Sequence, residues 1–210
     1  MNRPWVKICG ITTVEDARAL AAAGVEAIGL NFIPESPRFV SIERARAIAE
    51  ALPASVWRVG VFRDTAGTEV DRIVEEVGLD RIQLHGDESV DYAGRRSVPV
   101  IRAVQPRDGW DPSSLEAWRL FPILVDGYHP GLSGGTGRLA DWTAARLLVE
   151  RGYDVVLAGG LSPENVAAAV AAVGPSGVDL NSGVESAPGV KDTARVVQAL
   201  EALGRGTRIS

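Results

Sequence analysis

One cysteine, one methionine and two histidines are all that the 210 residues carry of those types. A lone cysteine excludes an internal disulfide and any cysteine-built zinc site. No stretch reaches the ~20 consecutive apolar residues of a membrane span. The first five residues, Met1-Asn2-Arg3-Pro4-Trp5, also lack the apolar run of a signal peptide, so a reducing cytoplasm is expected. Basic runs are missing too. The formal net charge is −5, with arginines and acids interspersed, which argues against a nucleic-acid footprint. Neither a nucleic-acid nor a membrane partner is expected.

What the chain does have is alternation. Its 46% hydrophobic content supports a sizeable core. Short apolar runs recur at Val6–Cys9, Ala27–Phe32, Val56–Phe62, Asp80–Leu84, Val98–Val104, Phe121–Asp126, Asp154–Leu157 and Gly177–Leu180. Helical patterns separate them: Thr13 caps one that runs to Gly24, Ser41 opens one stopped by Pro53, and Gly67–Val77 and Ser89–Arg96 follow. A short helix is expected around Leu115–Trp118, then helices over Ala140–Arg151, Pro163–Val173 and Asp192–Leu203. Eight strand–helix units without a linker predict one α/β domain over residues 1–210, a single (β/α)8 TIM barrel. A doubly wound sheet would call for a Gly-x-Gly-x-x-Gly opening, which is absent.

In a barrel one parity of each strand packs on the helices and the other faces the axis. Assigning apolar residues to the helices places Val6, Ile8, Ile28, Leu30, Val59, Val61, Ile82, Leu84, Ile101, Ala103, Ile123, Val125, Val178 and Leu180 outward. The axis then receives Lys7, Cys9, Asn31, Arg58, Gln83, His85, Arg102, Asp126, Asp179 and Asn181. Lys7 and Arg58, early in their strands, are expected in a buried ion-pair network, for example with Asp179. Cys9, His85, Asp126 and Asn181 fall at the C-terminal strand ends, where barrels place their chemistry.

Two glycine loops, around Gly159-Gly160 and around Ser182-Gly183, follow the seventh and eighth strands. Loops at those places let backbone N–H groups approach a phosphate. A longer loop after the sixth strand has four glycines between Gly131 and Gly137 and suits closure over a ligand. Arg38, after the second strand, has the fork geometry to take a carboxylate through two parallel hydrogen bonds.

Together these motifs resemble one family, the phosphoribosylanthranilate isomerases of tryptophan biosynthesis. The similar segments are Val6-Lys7-Ile8-Cys9-Gly10-Ile11-Thr12, Gly29-Leu30-Asn31-Phe32 with Ser36-Pro37-Arg38-Phe39, and Val59-Gly60-Val61-Phe62. Gln83-Leu84-His85-Gly86, Leu124-Val125-Asp126, Ser133-Gly134-Gly135-Thr136-Gly137 and Ala158-Gly159-Gly160-Leu161 with Asn165-Val166 continue the series. It ends with Val178-Asp179-Leu180-Asn181-Ser182-Gly183-Val184-Glu185 and Lys191-Asp192. Two departures are Ala140, where phenylalanine is common, and Asn181, where many members have serine.

The resemblance implies an Amadori rearrangement of N-(5-phosphoribosyl)anthranilate that needs no cofactor and no metal. It implies Asp126 as general acid and Cys9 as general base. Arg38 would hold the anthranilate carboxylate, and Gly159, Gly160, Ser182 and Gly183 the phosphate. Gln83, His85 and Asp179 would either orient the opened sugar or only stabilise the barrel interior. The expected partner is a small phosphoribosyl substrate, on a monomer or homodimer. Cys9 tells against a histidine-pathway isomerase, which resembles a pattern with a carboxylate there. A metal-dependent epimerase needs clustered ligands beyond His85 and His129. A non-catalytic barrel that binds a phosphate ligand is the alternative from another class.

Overall fold

A computed structural model describes residues 3–106, 110–126 and 142–205. Eight parallel strands close on themselves in chain order. They are β1 (Trp5–Ile8), β2 (Ala27–Asn31), β3 (Trp57–Phe62), β4 (Arg81–Leu84), β5 (Val100–Val104), β6 (Ile123–Asp126), β7 (Val155–Ala158) and β8 (Gly177–Leu180). The helices between them are α1 (Val14–Ala23), α2 (Ile42–Glu50), α3 (Gly67–Val77), α4 (Val90–Gly94), α5 (Thr143–Glu150), α6 (Val166–Val173) and α7 (Thr193–Ala202). The expected TIM barrel is the observed one. β1 closes it against β8, with Lys7 opposite Asp179 and Ile8 opposite Leu180.

Local chemistry sets the helix starts. The Thr13 and Ser41 hydroxyls accept from the N–H groups of Asp16 and Arg44, filling donors that the first helical turn leaves open. Asp192 caps α7 in the same way, accepting from Ala194 and Arg195. Between β5 and β6 the chain forms a 3-10 turn over Pro112–Trp118, longer than the short helix expected there. α4 is shorter than expected, and α6 begins after Pro163 instead of at it.

The inside–outside assignment holds on β1, β2, β4, β6 and β8 and is inverted on β3 and β5. Val59, Ile101 and Ala103 face the axis, in a cluster with Ala27, Leu124, Val156 and Ala158, and Val61 lines the mouth. Arg58 and Arg102 point outward. Arg58 donates to the carbonyls of Ala49 and Leu52 at the C-terminal end of α2 (both 3.1 Å) and pairs with Asp80 (3.3 Å). Arg102 donates to the Gly86 carbonyl (2.6 Å) and to Glu88 (3.1 Å), and its guanidinium stacks on Trp118. An arginine stem is long enough to lie along the apolar helix layer and deliver its charge to unpaired carbonyls beyond it. Polarity alone therefore does not send it to the axis.

The N-terminal end of the barrel is plugged by Trp5 and Trp57, edge to face at 5.6 Å, with the Arg81 guanidinium 4.0 Å from the Trp57 ring. Beyond β8 a small antiparallel hairpin, β9 (Glu185–Ala187) and β10 (Val190–Lys191), stands where only a loop was expected. Strands of three and two residues are too short to leave a period-2 signal in sequence.

Candidate active site

The plugged end leaves the C-terminal mouth as the open one, and the site is built up from its floor. Lys7 points to the axis with its side chain fully buried, and its Nζ donates to Asp179 Oδ2 at 2.8 Å. Burial by itself would lower Lys7; Asp179, with Cys9 above it, more than reverses this and holds the ammonium above its ordinary value. The other oxygen of Asp179, Oδ1, is buried without a hydrogen-bond partner. Arg58, expected beside this pair, is on the far side of the sheet.

Cys9 follows two residues further along the same face. It is buried and free, and its N–H closes onto the Leu180 carbonyl at 2.9 Å. Burial pushes its thiol above the ordinary value. Lys7 pulls it back, Asp179 adds to the upward push, and Lys191 pulls weakly downward.

Asp126 ends β6, opposite Ala158 of β7, and its Oδ2 accepts from the Gln105 amide at 3.1 Å. Cys9 and Asp126 open into one cavity of about 240 Å³. Gln83, His85, Asp179, Gly159, Gly160, Ser182 and Gly183 line the same space, so nine of the ten expected site residues share it. Asn31, Asn181, Ile33, Val61, Leu124, Ala158 and Leu161 complete the wall. His85 is pushed down to about 4, by burial first and then by Lys7, Arg102 and Arg63. It is thus neutral at pH 7, within 2.5 Å of the Gln83 amide.

The two glycine loops meet. Gly159 and Gly160 both take left-handed backbone angles, and a Cβ at Gly183 would drive into the Leu161 carbonyl. Asn165 ties the first loop, accepting from the Ser162 N–H and donating to the Gly160 carbonyl, both at 2.9 Å. The result is a small cradle of glycine backbone beside a 3-10 turn, Ser182–Val184. Such exposed, close-packed backbone suits a phosphate.

Arg38 is the tenth residue, and it stands at the rim outside the cavity wall. Its stem passes close over Gly10, beside the Asn181 side chain. Its guanidinium is already held: Nε and Nη2 donate to the two oxygens of Glu185 at 2.8 and 2.6 Å. Glu185 Oε1 also accepts from Lys191 Nζ (2.6 Å) and the Gly189 N–H (3.2 Å). Lys191 in turn donates to Asn181 Oδ1 at 3.0 Å. Burial alone would raise Glu185, but these donors, Arg38 first and Lys191 next, hold it down to about 2. Burial lowers Lys191, against the pull of Glu185.

Glu185 and Lys191 lie within the similar segments, yet reading them singly gave neither a role. Their one sequence signal is a pair of opposite charges bracketing a glycine turn. The glycine loop from Gly131 to Gly137, and Ala140, lie outside the described residues. Among the described residues no group of three His, Cys, Asp or Glu side chains is placed to hold a metal, and no helix is long and apolar enough to cross a membrane.

Comparison with known proteins gives a consistent picture. The family model for N-(5'phosphoribosyl)anthranilate (PRA) isomerase matches residues 6–202. The N-(5'-phosphoribosyl)anthranilate isomerase of Syntrophus aciditrophicus strain SB is 45% identical over 201 residues, covering 95% of this chain and 87% of its own. The crystal structure of phosphoribosyl anthranilate isomerase from Thermotoga maritima superposes with a TM-score of 0.89 at 38% identity, covering 96% of this chain and 98% of that one. A structure of phosphoribosyl anthranilate isomerase in complex with reduced 1-(o-carboxyphenylamino)-1-deoxyribulose 5-phosphate matches with a TM-score of 0.86 at 36% identity, over 96% and 98% of the two chains.

Proposed function

The chain belongs to the N-(5'-phosphoribosyl)anthranilate isomerase family, enzymes of tryptophan biosynthesis, and from that premise we propose which of its residues carry the reaction. The reaction converts N-(5-phosphoribosyl)anthranilate to 1-(2-carboxyphenylamino)-1-deoxyribulose 5-phosphate. Asp126 gives a proton to the furanose ring oxygen. The bond from that oxygen to C1 breaks towards oxygen, and the nitrogen lone pair forms a C1–N iminium. Cys9, in the thiolate form that the Lys7 ammonium favours against the upward push of burial, then removes the proton from C2, and the C–H electrons make a C1–C2 double bond while nitrogen regains its pair. The resulting enolamine takes a proton at C1 and loses one from the C2 hydroxyl, leaving the ketone. Cys9 ends with one proton more and Asp126 with one less, so a proton returned through solvent resets the site.

Single residues supply the rest. The glycine cradle of Gly159, Gly160, Ser182 and Gly183 holds the phosphate, and Arg38 takes the anthranilate carboxylate. Neutral His85, Gln83 and Asp179, which line the cavity, orient the hydroxyls of the opened sugar. The substrate is a small phosphoribosyl compound, and the matched complex with the reduced product analogue supports a ligand of that shape in a barrel of this kind.

The observation that carries the assignment is the placement of Cys9 and Asp126 on one cavity, with a buried ammonium beneath the thiol. Its test is Cys9→Ala and Asp126→Asn, assayed by fluorescence with freshly prepared phosphoribosylanthranilate. Each is expected to lower kcat by about 10²–10⁴-fold, the range of a lost general acid or base, with KM little changed. A kcat close to that of the unaltered enzyme for either variant removes that residue from the mechanism.

A further inference from the structure

The Arg38 guanidinium has five N–H donors in two useful edges, a side edge of Nε with Nη2 and an end edge of Nη1 with Nη2. Glu185 takes the side edge through both of its oxygens, at 2.8 and 2.6 Å. Such a carboxylate on a binding arginine has two possible meanings with opposite consequences. It competes with the substrate carboxylate and must leave, or it stays and aims the arginine.

The anchoring of Glu185 decides between them. Its side chain is only 4% exposed, and Lys191, whose side chain is wholly buried, donates to it at 2.6 Å. The Gly189 N–H, from the hairpin turn, adds a third hold at 3.2 Å. If Glu185 swung out, Lys191 would be left as a buried ammonium with Asn181 as its remaining hydrogen-bond partner among the described residues. Glu185 is a fixed post, whereas Arg38 reaches it on a flexible stem from the loop after β2.

We propose that Glu185, pinned by Lys191, is a positioning residue that holds Arg38 by its side edge and leaves its end edge to receive the anthranilate carboxylate. The inference rests on the reading of Arg38 as the carboxylate-binding residue. Charge favours the same arrangement. Two cations, Arg38 and Lys191, share one carboxylate, so the cluster carries a net positive charge that an incoming carboxylate neutralises. The β9–β10 hairpin then has a purpose, because it sets Glu185 and Lys191 opposite each other. What is recognised is an aryl carboxylate, the group that separates this substrate from other phosphoribosylamines.

The test is steady-state kinetics of Glu185→Gln and Arg38→Met beside the unaltered enzyme, with inhibition by 1-phenylamino-1-deoxyribulose 5-phosphate, a product analogue without the carboxylate. Glu185→Gln is expected to raise KM about tenfold with kcat within about twofold, while inhibition by the carboxylate-free analogue stays unchanged. A lowered KM would mean that Glu185 competes for Arg38, and an unchanged KM that it does not aim it; either overturns the inference. Equal weakening towards substrate and carboxylate-free analogue would mark a merely structural role and overturn it as well. If Arg38→Met leaves KM unmoved, it is the reading of Arg38 that fails instead. Should Glu185→Gln not fold, Glu185→Asp keeps the charge against Lys191 while drawing back from Arg38, and a raised KM at unaltered analogue inhibition is expected of it too.

Discussion

Two ion clusters flank Cys9, and they are built on opposite plans. At the floor, Lys7 and Asp179 form a single pair between neighbouring strands, and one Asp179 oxygen is left without a partner. At the rim, Arg38 and Lys191 share one carboxylate, and both oxygens of Glu185 are occupied. The floor pair is sealed inside the barrel, with side-chain exposures of 0% and 6%, whereas Arg38 keeps 17%. A carboxylate that is fully engaged holds something else in place. One that is held by a single donor and belongs to a residue lining the cavity has capacity left for the site. The contrast separates scaffold that aims a side chain from scaffold that shares in the site.

Breaking the floor should cost the most. Asp179→Leu strands a fully buried ammonium and is expected to lower stability by about 3–5 kcal/mol, read from the urea midpoint at constant m. Pairing it with Lys7→Met removes the orphaned charge and should recover most of that loss. The doubly altered enzyme loses both Lys7, which pulls the Cys9 thiol down, and Asp179, which pushes it up; Lys7 is the larger influence, so the acid limb of its kcat/KM profile should move to higher pH. A stable Asp179→Leu protein would show that the floor pair is not held in its charged form.

Acid should act beside the floor, through His85, and at the rim, through Glu185, in different windows. His85, above the floor, titrates at about 4 when folded, against an ordinary value of 6.5. Below 6.5 the unfolded chain binds a proton that the folded one refuses, so stability falls as pH drops from about 6.5 to about 4. At about 1.36 kcal/mol per unit, the loss amounts to roughly 3 kcal/mol. Glu185 at about 2 has the same sign in a lower window: its contribution is complete above its ordinary value of 4.5 and is lost as pH falls towards 2. His85→Asn should flatten the upper window in urea titrations and leave the lower one. A slope between pH 6.5 and 4 that survives the substitution would assign it to another group.

The floor was legible in the sequence and the rim was not, for a physical reason. Lys7 and Asp179 lie in strands and Cys9 directly follows one, so alternation fixes their direction, and parallel closure sets β1 beside β8. Gln83 within β4, and Cys9, Asp126, His85 and both glycine loops, each of which ends or follows a strand, were placed at the mouth by the same logic. Alternation failed on β3 and β5 because Arg58 and Arg102 are long enough to cross the helix layer and satisfy carbonyls outside it. A short residue such as Asn31 has no such reach, and it faces the mouth as expected. Glu185 and Lys191 come from a hairpin too short to have a period, and Arg38, the partner of Glu185, is 147 residues away in the chain. Nothing local announces that contact.

The smallest expected effect is the most discriminating at the rim. Arg38→Lys preserves the charge and part of the stem, so coulombic attraction for the substrate carboxylate survives. A lysine ammonium is a point charge with no second edge, and it cannot be gripped by both Glu185 oxygens and still face the substrate. KM should therefore rise about tenfold, about 1.4 kcal/mol, with kcat within about twofold. Stability should change by less than about 1 kcal/mol, because Glu185 keeps Lys191 and the Gly189 N–H. If Arg38→Lys instead destabilised the fold as much as Asp179→Leu, the rim would be structural in the way the floor is, and the contrast between the two clusters would collapse. If KM did not change, charge alone would suffice, and the fixed orientation imposed by Glu185 would have no part in recognising the aryl carboxylate.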